Sequence, residues 1–183
     1  MSFQMLAASV PARSGDPRCV GDLLLSAAMI DVSVQFDTEL RVSSSAEDAF
    51  ALVADIERSA SHFPGLLRIE QYADGRWRWF MAEKGVGPIK LNVQYDAVYT
   101  VDEAVRTVTW LPPQSGGSGD MESSGSWKIA EEGSGSVLSF RSTTVAHVPA
   151  PRLMKGMVEV IANDELSKLM RQYTAAIRAT LNK

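Results

Sequence analysis

The hydrophobic period of this chain changes once, and late. Between Val32 and Val148 apolar residues recur at every second position, in runs separated by turn-forming residues. After Pro149 and Pro151 they recur at three- and four-residue steps, or sums of them, through Leu153, Met157, Ile161, Leu169, Tyr173, Ile177 and Leu181. The first pattern is that of half-buried strands, the second that of one amphipathic helix of about 25–30 residues, far longer than the globular average. Strands joined by tight turns pair antiparallel, and an antiparallel sheet has one face to cover. The closing helix is the only element large enough to cover it. A curved sheet around one helix leaves a gap unless bulky side chains fill it, and an apolar gap is where a small hydrophobic molecule binds.

The order of elements follows from local signals. Val32, Val34, Phe36, Leu40 and Val42 alternate with polar residues and make the first strand. Ser44-Ser45-Ala46-Glu47 fits a capping box, and Ala46, Ala49, Phe50, Val53 and Ala54 follow at helical spacing. A second short helical turn is expected through Ile56 to His62, stopped by Pro64-Gly65. Strands follow over Leu66–Ala73, Arg76–Lys84, Ile89–Ala97 and Val105–Leu111, then from Trp127 and from Ser136 to Val148. Asp74-Gly75 and Gly85-Val86-Gly87-Pro88 mark turns between them. Residues 115–126 are nine Gly or Ser in twelve and are expected to form a mobile loop. The fold class is α+β: a curved antiparallel sheet of about seven strands wrapped around the long C-terminal helix, with two short helices after the first strand. Residues 1–30 show no sustained period and read as a poorly ordered N-terminal extension; residues 31–183 form the domain.

Composition narrows the function classes. In 183 residues, 45% hydrophobic side chains supply a sizeable core, and a net charge of -4 argues against a dedicated nucleic-acid binder. One cysteine, Cys19, closes no internal disulfide. No run reaches the ~20 apolar residues of a transmembrane helix, and the first residues lack a signal peptide's basic and apolar regions, so a cytoplasmic location is expected. His62 and His147 are far apart and unmatched by any zinc spacing, so no metal is expected. Neither sits beside a nucleophile in a motif, and both read as hydrogen-bonded structural residues. Gly85-Val86-Gly87 is a turn, because no third glycine or helix follows it.

The register of the Arg76-Trp77-Arg78-Trp79 strand decides which way its aromatics point. A two-residue turn at Asp74-Gly75 would pair Ile69 with Phe80 and turn both tryptophans outward. A three-residue loop pairs Ile69 with Trp79 and buries Trp77, Trp79 and Met81. Burial of large apolar side chains, at about 1.5–3 kcal/mol each, outweighs the turn preference. For the lining of the gap, the helix offers Met154, Met157, Val158 and Ile161, and the strands offer Trp79, Leu91, Tyr95, Trp110 and Phe140, with Phe63 from the turn after the short helices. Methionine adapts to irregular shapes, and a buried Tyr or Trp orients one polar group.

Three stretches carry a family resemblance: AFALVADIERSASHFPGLLRIEQ (49–71), GRWRWFMAEKGVGPIKLNVQY (75–95), and VRTVTW with GSGDMESSGSWKI (105–129). The first resembles the helix pair of the helix-grip superfamily, also called START-like or SRPBCC, with Asp55 and Phe63-Pro64-Gly65 at matching places. The others resemble the central strands of its polyketide cyclase/dehydrase-like members, and FPG followed by GVGPIK is similar to the G-type accessory protein of carbon monoxide dehydrogenase. The resemblance covers roughly residues 32–181. It implies the helix-grip fold and a binding site for a small hydrophobic ligand.

The leading expectation is therefore a carrier or sensor for a lipid, quinone or polyketide-like molecule, needing no cofactor because transfer from water drives binding. A second is a polyketide cyclase or dehydratase moving protons with Tyr95, Arg141 or another inward polar group. A third is an accessory protein of a redox enzyme complex, docking on its partner or peripherally on anionic lipid through the Lys/Arg face of the helix. Residues 152–183 hold six basic and three acidic side chains.

Overall fold

The computed structural model describes residues 27–72, 75–86, 89–91, 93–114 and 119–183. Strand β1 (Ala27–Val42) is followed by helices α1 (Ala46–Ala54) and α2 (Ile56–Ala60). Strands β2 (Leu66–Gln71), β3 (Arg76–Met81), β4 (Lys84–Val86), β5 (Ile89–Leu91), β6 (Gln94–Asp102), β7 (Thr107–Leu111), β8 (Met121–Glu132) and β9 (Gly135–Pro151) come next. A 3-10 turn at Arg152–Met154 leads into the 27-residue helix α3 (Lys155–Leu181). Seven strands form one antiparallel sheet in the order β1-β9-β8-β7-β6-β3-β2, while β4 and β5 pair as a separate ribbon. Among the described residues no helix is long and apolar enough to cross a membrane.

The burial-driven register of β3 is the observed one: Ile69 pairs with Trp79 and Gln71 with Trp77, and Trp79 is buried. Other local expectations shift. The first strand begins at Ala27, not Val32, and runs beside β9 as far as Pro151; the remainder of the expected N-terminal extension lies outside the described residues. The helix cap moves by one: Ser45 is the N-cap of α1, its Oγ accepting from the Asp48 amide at 3.1 Å and donating to Asp48 Oδ2 at 2.7 Å. The expected strand over Ile89–Ala97 is divided, with Ile89–Leu91 in the ribbon and the main sheet resuming at Gln94.

The Gly/Ser run is corrected too. From Met121 onward it is strand β8, paired with Ser142–Ala146 of β9, and Gly119 bridges to Tyr95. Residues 115–118 fall outside the described part. The glycine at 125 has a packing role, since its missing Cβ leaves the place where the Trp110 indole lies.

Two buried clusters meet beneath α3. The larger joins α1 and α2, the middle of the sheet, and Met170, Tyr173, Ile177 and Leu181 of the helix. The smaller joins Ile30, Val32 and Val34 of β1 with Val148, Ala150 and Val158. The C-terminal end of α3 is further tied down: Ser43 N donates to Asn182 Oδ1 at 2.8 Å, the Ser44 hydroxyl donates to the Leu181 carbonyl, and His62 Nε2 lies 2.9 Å from Thr180 Oγ1.

Helix α3 corrects one sequence expectation about the site. Its buried side turns Val158, Met170, Tyr173, Ile177 and Leu181 inward, with Met154, Ala162 and Leu166 packed beside them, while Leu153 is 81% exposed and Met157 48% exposed. The reason is geometric. Each four-residue step overshoots a turn by about 40°, so the sixteen residues from Met157 to Tyr173 accumulate roughly 160°. A stripe built from four-residue steps winds around the helix, and its two ends face opposite ways.

Candidate functional site

Packing between the concave face of the sheet and α3 leaves two adjoining chambers. The inner one, ≈ 40 Å³, lies among Trp79, Tyr95, Tyr99, Trp110, Phe140 and Tyr173, with serines 59, 123 and 142 between the rings. The outer one, ≈ 120 Å³, is lined mainly by apolar side chains, among them Met81, Met121, Val148, Val158, Ala162 and Leu166. Phe63 and Met170 belong to both linings and form the partition.

The inner chamber is an aromatic box. Trp79 stacks on Tyr95 with ring centroids 5.6 Å apart and 16° between planes, and Trp110 stacks on Phe140 at 5.8 Å. Trp127 and Tyr173 complete the packing around Phe140, at 4.5 and 5.8 Å. Alternation along the strands brings these rings together: Trp79 on β3, Tyr95 on β6, Trp110 on β7 and Phe140 on β9 share the concave face. Phe63, held after α2 by an amide bond to the Ala60 carbonyl at 2.8 Å, meets Trp79 edge-on at 5.7 Å.

Polar atoms are few and mostly paired. The Ser59 and Tyr173 hydroxyls lie 2.7 Å apart, and Trp110 Nε1 donates to Ser123 Oγ at 3.0 Å. Two buried polar side-chain atoms have no hydrogen-bond partner, Trp79 Nε1 and Ser142 Oγ, and both residues line the inner chamber. Burial pushes the phenols of Tyr95, Tyr99 and Tyr173 above their usual range. For Tyr99 the neighbouring Trp79 N–H offsets a part of that shift. All three therefore stay neutral and act as hydrogen-bonding groups, not as bases, at neutral pH.

Of the residues the sequence singled out, Phe63, Trp79, Tyr95, Trp110 and Phe140 converge on the inner chamber, and Val158 lines the outer one. Met154 packs against the smaller buried cluster. Met157 points away from the sheet and half-buried Ile161 is outside both linings, so neither belongs to the cavity wall. Leu91 lies in the β4–β5 ribbon, away from the main sheet, and its side chain is outside the described part. Arg141, the other candidate proton donor, is on the opposite face, 74% exposed and 3.1 Å from Asp37.

His62 Nδ1 lies 2.9 Å from the Arg58 carbonyl, and His147 Nδ1 is 2.8 Å from Asp31, so both histidines have structural partners. Among the described residues no cluster of three metal-ligating side chains occurs. Sequence reading passed over Ser142, Tyr99, Met170, Ala162 and Leu166. Ser142 had a signal: it is two positions beyond Phe140 on an alternating strand, a polar residue at an inward place.

No protein-family model matches the chain. No curated protein matches it either. Solved structures do match. A protein of Thermus thermophilus superposes with a TM-score of 0.58 at 14% identity, over 81% of this chain and 96% of its own. A START superfamily protein from Mycobacterium smegmatis gives 0.54 at 18%, over 80% and 96%. The Zhui aromatase/cyclase of a Streptomyces species gives 0.53 at 14%, over 81% and 96%. The seven-stranded curved sheet, the short helices after its first strand and the long C-terminal helix are thus the helix-grip fold that START-superfamily proteins and aromatase/cyclases share.

Proposed function

We propose that this protein is a binding module, a cytoplasmic carrier or sensor that takes up a small, neutral, largely apolar molecule between α3 and the sheet. The observation that carries this reading is the outer chamber: ≈ 120 Å³ of apolar-lined space continuous in its walls with an aromatic box. Leaving such space unfilled forfeits dispersion contacts and costs stability, which a bound apolar molecule restores. Phe63, Trp79, Tyr95, Trp110, Phe140 and Val158 would contact the ligand, joined by Met170 and Leu166. Binding without turnover is favoured because the three phenols in the inner chamber stay protonated and Arg141 is turned outward. The likeness to an aromatase/cyclase supports a cavity-bearing fold, with the chemistry left to the side chains inside it.

The test uses N-phenyl-1-naphthylamine, a neutral probe that fluoresces in apolar surroundings. The wild-type protein is expected to bind it at a stoichiometry near one. Ala162→Phe places a ring in the outer chamber and is expected to abolish binding with little loss of stability, since the ring enters existing space. In a solid core the same change overpacks, at about 1–3 kcal/mol. No wild-type binding together with that destabilisation would sink the proposal.

A further inference from the structure

Buried polar atoms without partners are rare, and each costs about 1–3 kcal/mol, so two at one place need a reason. Trp79 Nε1 and Ser142 Oγ are such atoms, in residues each only 5% exposed, and both residues line the same inner chamber. The indole N–H is solely a donor, and the serine hydroxyl is a donor with acceptor capacity. Tyr99 lies close to the indole but does not complete a hydrogen bond with it. What the pair lacks in common is an acceptor.

We propose that the inner chamber is the recognition end of the cavity, where the Trp79 indole N–H and the Ser142 hydroxyl donate to a neutral carbonyl oxygen of the ligand, as in an aryl ketone or quinone. This rests on the binding reading above and names the ligand class. The aromatic rings take the planar part next to the carbonyl, and the outer chamber takes the apolar remainder past Phe63 and Met170. Charged acceptors fit poorly. Among the described residues the inner lining holds no Lys, Arg or His to pair with a carboxylate, and its burial already holds three phenols neutral. Without ligand, the ≈ 40 Å³ has room for a few waters, and the carbonyl oxygen replaces the one on these donors.

The experiment compares acetophenone with α-methylstyrene, which has nearly the same shape and a methylene in place of the oxygen. Each competes with N-phenyl-1-naphthylamine for the wild type, Trp79→Phe and Ser142→Ala. Trp79→Phe keeps an aromatic ring on Tyr95, and Ser142→Ala removes only an unpartnered hydroxyl, so both variants are expected to keep the wild-type unfolding transition. Each should weaken acetophenone about three- to tenfold, the worth of one hydrogen bond, and leave α-methylstyrene within twofold. Equal effects on the two compounds in both variants, or none, would overturn the inference and leave water as the sole partner of these atoms. The inference fails equally if the wild type takes up the fluorescent probe but neither small compound. Failure to bind the fluorescent probe at all refutes the binding reading itself.

Discussion

Replacing Gly125 by alanine tests how tightly the aromatic box is built, because the added carbon has nowhere to go. Gly125 pairs with Trp110 on one side and Ser142 on the other. A Cβ there would lie 2.2 Å from the Arg141 carbonyl oxygen and 2.3 Å from Trp110 Cζ2. The first neighbour is backbone in the middle of the sheet and cannot yield cheaply; the second is an indole held by stacking and by its bond to Ser123. Overpacking of this kind costs about 1–3 kcal/mol, and displacement of the indole forfeits a hydrogen bond of about 1 kcal/mol. Alanine's smaller unfolded-state entropy returns about 0.4–1 kcal/mol. The net loss is about 1–3.5 kcal/mol, read as a fall in Tm of about 2–4 °C per kcal/mol for a domain of this size. Near-ultraviolet circular dichroism should change with it, as the Trp110 environment is altered. Gly156→Ala is the control: no atom lies within 4 Å of its added Cβ on α3, and alanine in a helix should stabilise by about 0.5–1 kcal/mol. Equal Tm shifts for the two variants, or an unchanged aromatic spectrum in Gly125→Ala, would refute the assignment of Gly125 to this packing role.

Two further outcomes follow from buried groups on either side of the sheet. On the convex face Asp96 is fully covered by Arg78, which bonds it through Nε at 2.6 Å and Nη2 at 2.9 Å, and by Arg76 at 3.5 Å. Asp96→Ala is expected to lower the unfolding free energy by about 2–3 kcal/mol, less than for a wholly buried pair, because both arginines are about 30% exposed and can turn to water; a loss below 0.5 kcal/mol by denaturant titration contradicts this. In the interior, Tyr95, Tyr99 and Tyr173 have folded-state pKa values above the unfolded value of about 10. The stability this gives is complete below pH 10 and is lost as pH rises beyond it, since only the unfolded chain releases those protons. Absorbance at 295 nm should therefore show these three tyrosines ionising together with unfolding, and their reversible titration in the folded protein would count against it.

The sequence was most legible where burial and period agree. The β3 register followed from weighing two tryptophans and a methionine against a turn preference, and the pairing of Ile69 with Trp79 came with it. Five of the six aromatic and strand positions expected in the gap, from Phe63 to Phe140, do converge, because alternation alone fixes which side of a strand faces inward. Legibility failed where one composition serves two physical ends. Glycine and serine at 119–126 resemble a loop, yet here glycine makes room for an indole and serine fills narrow places in a strand. It failed again on α3, where Met157 and Val158 are both apolar and only the accumulated turn angle from Tyr173 decides between them. Nor could the partnerless state of Ser142 be read, since it depends on what four different strands leave unoffered.

The anchoring of α3 has a kinetic consequence. Its last three turns are fixed by the larger cluster, by Tyr173 against Ser59, and by the bonds of Ser43, Ser44 and His62 to its end. Its first half holds one fully buried residue, Val158, against a cluster of six. The helix is thus a door hung at its C-terminal end, and the cost of opening declines steadily toward Lys155. A guest wider than the gap passes beneath the free edge, over Val158, Ala162 and Leu166, without disturbing the hinge or the aromatic box behind it. Uptake and release are governed by the looser half of the helix, and selectivity by the tighter half.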